Sequence, residues 1–146
     1  MATRSTIAIE LADGTVKQVY CHWDGYVDGV GKTLQEHYSA RSKVEELVEH
    51  GDLSSLGDVI GFKHPFTHIG TDMTLDEHES NFGAMCTFYG RDREETMTEA
   101  KVFQSYQDYI ENHQYEEYEY VFRQDNKWHV CDGDEFKLLE NEFFVV

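Results

Sequence analysis

Cations are scarce in this sequence: 12 Lys and Arg stand against 29 Asp and Glu in 146 residues, a formal charge of -17. The deficit repels nucleic acid and attracts basic surfaces, so DNA and RNA are not expected as direct ligands. Cysteine occurs three times and proline once. Cys21, Cys86 and Cys131 are odd in number and widely spaced, which gives no disulfide framework and no C-x-x-C pair. Reduced, partly buried thiols are expected instead. No run approaches the roughly 18 apolar residues of a membrane span, and Met-Ala-Thr-Arg-Ser lacks the apolar run of a signal peptide. The expectation is a cytoplasmic protein without membrane contact. Gly-x-Ser-x-Gly and His-Glu-x-x-His are both missing, so no catalytic residue is assigned and the chain is not read as an enzyme.

Aromatic residues are plentiful: nine Tyr, nine Phe and two Trp contribute to a hydrophobic content of 40%. That is too much for a disordered acidic chain and enough for one domain with an aromatic core. Thr6-Ile7-Ala8-Ile9-Glu10, Asp13-Gly14 and Thr15 to Trp23 read as a β-hairpin. Both arms are β-branched or aromatic around a strong turn signal. Alternation places Val19, Cys21 and Trp23 on one face, with Gln18, Tyr20 and His22 on the other.

Asp28 is positioned to cap a short helix with Val30, Leu34, His37 and Tyr38 on one face. Ser42-Lys43-Val44-Glu45 reads as a capping box for a second helix, with Val44, Leu47 and Val48 as its stripe and Gly51 as its stop. From Asp52 to about Gly90 the pattern predicts loops with one strand near Ala84–Tyr89; Pro65 biases His64 toward extended backbone. Thr96-Met97-Thr98-Glu99 reads as a further capping box, opening a longer helix to about His113. Its predicted core face is Val102, Phe103, Tyr106, Tyr109, Ile110 and His113. A second hairpin spans Tyr118–Phe122 and Lys127–Cys131 around Asp125-Asn126, and Phe136 to Val146 is expected to pack as a strand or docked segment. With no linker or repeat, the expectation is one α+β domain over residues 1–146.

Several motifs invite chemistry and are outweighed by plainer readings. Gly31-Lys32-Thr33 resembles the end of a phosphate-binding loop, but Tyr26 stands where the pattern requires glycine and Gly25 is one residue out of register. It reads as an ordinary helix start. Cys21 with His22, His64 with His68, His78 with Cys86, and His129 with Cys131 are the available metal pairs, and none has a zinc-finger spacing. No metal and no cofactor is assigned. Cys21-His22-Trp23-Asp24-Gly25-Tyr26 reads as structural, with Cys21 and Trp23 buried and Asp24-Gly25 turning the chain.

The acidic residues are the remaining signal. Across residues 94–119, Glu94, Glu95, Glu99, Asp108, Glu111, Glu116, Glu117 and Glu119 face only Lys101. Glu117 and Glu119 on one strand face would stand roughly 6.6–6.8 Å apart. Asp108 and Glu111 on a helix would stand about 5–6 Å apart. Asp132, Asp134, Glu135, Glu140 and Glu142 would extend such a stripe if the C-terminal segment folds alongside. Of these, Glu94, Glu95, Asp108, Glu111, Glu116, Glu117, Glu119, Asp132, Asp134 and Glu135 form the expected partner-binding set.

Thr3-Arg4-Ser5-Thr6-Ile7-Ala8-Ile9-Glu10, with Tyr20-Cys21-His22-Trp23-Asp24-Gly25-Tyr26 and Asp52-Leu53-Ser54-Ser55-Leu56, resembles small acidic proteins carried by tailed phages and prophages. The likeness covers roughly the first 60 residues. It implies a genomic setting in which small proteins disarm host machinery, and it carries no functional residues across. With the charge, it leads to the expectation of an inhibitor that binds a basic, nucleic-acid-binding surface of a host defence or transcription protein, with DNA mimicry as one form of that binding. The alternative is a small enzyme or metal-dependent domain using the His- and Cys-containing middle loops. A third reading is an interaction module whose contact is aromatic.

Overall fold

The computed structural model describes residues 3–61, 85–113, 115–133 and 135–143. Its centre is β1 (Ser5–Glu10), all six of whose residues are buried. β1 runs antiparallel to β2 (Val16–Cys21), with Ile7 opposite Val19, and parallel to β6 (Tyr118–Phe122), with Ile7 opposite Tyr120. β6 in turn pairs antiparallel with β7 (Trp128–Cys131). The two expected hairpins therefore lie side by side. Asp13 shapes the first turn by accepting from Thr15 N at 3.0 Å and from Thr15 Oγ1 at 2.7 Å.

β3 (Leu53–Ser55), β4 (Thr87–Phe88), β5 (Lys101–Phe103) and β8 (Lys137–Leu138) complete an eight-stranded mixed sheet in the order β4-β3-β2-β1-β6-β7-β8, with β5 also on β2. Among the described residues the α-helices are α1 (Lys32–His37), α2 (Arg41–Glu49), α3 (Tyr89–Arg93) and α4 (Tyr106–Asn112). This is an α+β domain, as the sequence predicts.

Both faces of the central strands are covered. On one, Val30, Leu34, Tyr38, Val44, Leu47 and Val48 pack on Ile7, Ile9, Val19, Tyr120, Phe122 and Val130. On the other, Phe103 and Tyr109 close over Ala8, Val16 and Val121. Burying polar ends in such a core requires partners. Tyr38 Oη donates to Gly57 O at 2.7 Å, Trp128 Nε1 to Tyr38 O at 2.9 Å, and Tyr120 Oη to Gly25 O at 2.7 Å. Cys21, Cys86 and Cys131 are all buried thiols, and burial pushes Cys21 up to about 12. Among the described residues no helix is long and apolar enough to cross a membrane.

Several local expectations are corrected. The helix expected from Thr96 does not begin there: residues 101–103 form β5 on the edge of β2, and the helix starts at Tyr106. Its cap is Ser105, whose Oγ accepts from Asp108 N at 3.0 Å, while Asp108 Oδ2 accepts from Gln104 N at 2.9 Å. The Ser105-Tyr106-Gln107-Asp108 signal outranks the earlier one because Lys101, Val102 and Phe103 gain a strand partner. The resulting α4 has seven residues, fewer than the nine of α2.

Asp28 lies inside a π-type turn, Val27–Gly31, and caps nothing; His37 is exposed while Val30, Leu34 and Tyr38 are buried. α2 is preceded by Ala40 rather than capped by Ser42, and its buried stripe is the expected one. Gly51 ends it at φ +83, where a Cβ would collide with Thr98 O. Among the described residues of the middle, β4 falls within the strand expected near Ala84–Tyr89, and β3 and α3 are elements the pattern did not predict. After β8, Leu139 buries in a short 3-10 turn. His64, Pro65, His68, His78, Asp134 and residues 144–146 lie outside the described residues.

Candidate partner-binding surface

The expected acidic stripe is not one track. Glu94 and Glu95 follow α3 beside β4, at one edge of the sheet. Asp132 follows β7, five strand steps away, or roughly 24 Å at ~4.8 Å per step. Asp108 and Glu111 ride on α4, over the second face. Asp108 is committed locally, because its Oδ1 also accepts from Asn112 Nδ2 at 2.7 Å. Glu111 is exposed and accepts from Gln107 Nε2 at 2.9 Å. Glu135 is exposed.

Glu119 is the clearest departure. Alternation does place it opposite Tyr118 and Tyr120, but α4 covers that face and leaves Glu119 only 1% exposed. Its carboxyl takes the Thr6 hydroxyl and the Glu116 backbone N–H. Burial is the main cause that raises its pKa to about 7, with the Glu116 carboxylate adding to the rise; the Thr6 and Glu116 hydrogen bonds oppose it. Buried carboxyls behave this way because low dielectric penalises the charged form. Glu119 belongs to the core and is unavailable to a partner in this conformation.

A different grouping emerges at one end of the sheet. β2 ends where β1 and β6 begin, since Ser5 faces both Cys21 and Tyr118, and β7 ends there too, with Cys131 opposite Glu119. The segments leaving or entering that end carry Trp23 and Asp24 after β2, Glu116 and Glu117 before β6, and Asp132 after β7. Glu116 interacts electrostatically with Tyr20, whose hydroxyl hydrogen-bonds His22 Nδ1 at 2.7 Å; the His22 ring in turn meets Trp23 edge-on at 4.7 Å. Trp23, expected to be buried, is 45% exposed, and Tyr26 is 43% exposed. β2 stops at Cys21, so strand alternation no longer governs Trp23. The loop that follows is tightly set: Gly25 N donates to Thr3 O and Val30 N to Asp24 O, and Asp24 adopts φ 58.

Trp23, Asp24, Tyr26 and Val30 help wall a surface cavity of about 300 Å³. Trp23 and Tyr26 supply rings, and Asp24, Asp28, Glu36 and Asp58 supply carboxylates; Lys32 and His37 also line it. His37 lies 3.6 Å from Asp58 and 3.9 Å from Glu36. Within the string Cys21 to Tyr26, Trp23, Asp24 and Tyr26 are thus presented at the surface, while Cys21 and Gly25 are buried. The string's compositional oddity was the available sequence signal; the burial pattern assumed for Trp23 hid it.

Arg41, Lys43, Arg91 and Arg123 are partly buried and bonded within the chain. Arg41 donates to Glu10 O, Arg123 O and Asn126 Oδ1, joining α2 to both hairpins. Arg91 donates to Ile60 O, Cys86 O and Asp92. Lys43 reaches His37 O and Asp58 O, and Arg123 pairs with Glu10 and stacks 3.6 Å over Tyr106.

The other motifs are used structurally. Gly31 packs against Tyr120, where a Cβ would stand 3.2 Å from the ring, and Gly31-Lys32-Thr33 leads into α1. Cys21 Sγ turns to Trp23 O, while His129 Nε2 pairs with Asp125 at 3.0 Å. Among the described residues no three of His, Cys, Asp and Glu gather as a metal site. No protein-family model, curated protein or solved structure matches the chain.

Proposed function

We propose that this chain is a small acidic binding protein of phage type that inhibits a host defence or transcription protein by docking on its basic, nucleic-acid-binding surface. The observation that carries the reading is the shared sheet end that carries Asp24, Glu116, Glu117 and Asp132 together with exposed Trp23, while Arg41, Arg91, Lys43 and Arg123 are partly buried and bonded within the chain. Charge steers such an encounter, and an exposed aromatic supplies the area that holds it. The spacing favours basic-surface docking over a literal phosphate track. Three strand steps from β2 to β7 span roughly 14 Å, over which duplex DNA would show about eight charges. The sheet end shows four carboxylates there.

Affinity capture from a bacterial lysate tests the reading. Proteins held at low salt should be enriched in nucleic-acid binders and should be released both by high salt and by added duplex DNA. Capture indifferent to salt and to DNA would leave the aromatic surface, without the charge, as the contact.

A further inference from the structure

We infer that the cavity between Trp23, Tyr26 and the Asp24–Asp28–Glu36–Asp58 carboxylates is a receptor for an arginine side chain. The inference rests on the docking reading above and names the group on the partner that this chain grips.

Three observations converge. The first is concavity with aromatic walls: two large rings, each more than two-fifths exposed, stand at a depression of about 300 Å³ rather than in the core. The second is local charge. Four carboxylates and one ammonium line the depression, so a cation entering it meets a net attraction, and an anion does not. The third is rigidity. The loop bearing Trp23, Asp24 and Tyr26 is pinned by the Gly25 N–Thr3 O and Val30 N–Asp24 O bonds, so its rings and carboxylates are held before any ligand arrives.

Rings beside carboxylates select guanidinium over ammonium. Guanidinium is planar and weakly hydrated; it stacks on aromatic faces while its edge donors fork to carboxylates. An ammonium is a compact, strongly hydrated charge and gains less from the ring. Lys32, lining the same cavity, is the resident cation against which an arginine must compete.

A blocked tri-arginine peptide titrated into the whole protein provides the probe, followed by tryptophan fluorescence. Trp23 lies at the cavity, while Trp128 is buried in the core. Saturable change is expected, with tri-lysine binding more weakly. Asp24→Asn combined with Asp28→Asn should weaken tri-arginine about tenfold, two charge pairs acting together. Asn also tolerates the left-handed backbone at Asp24. Glu45→Gln with Glu46→Gln, an equal change of charge on α2, should alter affinity less than about twofold. Calorimetric titration of Trp23→Leu should show the preference for arginine over lysine lost, and Lys32→Gln should tighten binding.

Equal affinity for the two peptides overturns the inference, as does equal loss in the two double variants. So does failure of tri-arginine to bind while lysate capture stays sensitive to salt and DNA, a result that leaves the docking function standing. Salt-insensitive capture overturns the docking function itself, whatever the peptides do.

Discussion

Replacing Glu119 with glutamine isolates the cost of ionising a buried carboxyl. Its pKa stands at about 7 in the folded chain against an ordinary 4.5. At ~1.4 kcal/mol per unit, that difference amounts to roughly 3 kcal/mol. Because the folded value is raised, the folded state holds the proton more tightly than the unfolded one. The stabilisation is complete below the ordinary value, declines as pH rises between the two, and is gone above about 7. Wild-type protein should therefore lose stability from mildly acid to mildly alkaline pH. Glu119→Gln should lack that component: its amide oxygen can accept the Glu116 N–H and its NH2 can donate to the Thr6 hydroxyl oxygen, so both contacts persist without a charge. The self-repulsion of a -17 chain also varies with pH, but alike in both proteins, so their difference carries the result. Thermal unfolding by circular dichroism at constant ionic strength is the assay. The variant should melt at nearly the wild-type temperature at about pH 5 and roughly 6–12 °C above it at about pH 8. Parallel curves would refute the buried-carboxyl reasoning, as would a variant less stable than wild type at the alkaline end. Glu117→Gln, an exposed neighbour, should follow wild type throughout.

Gly51→Ala should destabilise by about 1–3 kcal/mol, because it combines a left-handed backbone with a Cβ directed at Thr98 O; chemical denaturation measures it. Ser105→Ala should cost about 1 kcal/mol by removing the α4 cap, with faster hydrogen exchange confined to Tyr106–Asn112. Lys32→Ala should change stability by less than about 0.5 kcal/mol, since Lys32 is exposed; calorimetric titration with nucleoside triphosphate should show no binding before or after the change.

Local chemistry by itself determined the two hairpins, the Val44–Leu47–Val48 stripe, the stop at Gly51 and the α+β class. Each depends on residues within one turn or one strand pair, where side-chain period and backbone preference act directly. The acidic balance was equally legible, being a sum over residues. Tertiary structure decided the rest. Strand alternation correctly placed Glu119 opposite Tyr120, but only α4, arriving from residues 106–112, made that side an interior. Residues 101–103 became a strand because the edge of β2 stood open to them, a vacancy no local pattern records. The parallel pairing of β1 with β6 joins segments more than a hundred residues apart, and it brings Glu116 and Glu117 to the end of the sheet where Trp23 is exposed. Period tells which side chains share a face; whether that face meets water depends on what the remainder of the chain lays over it.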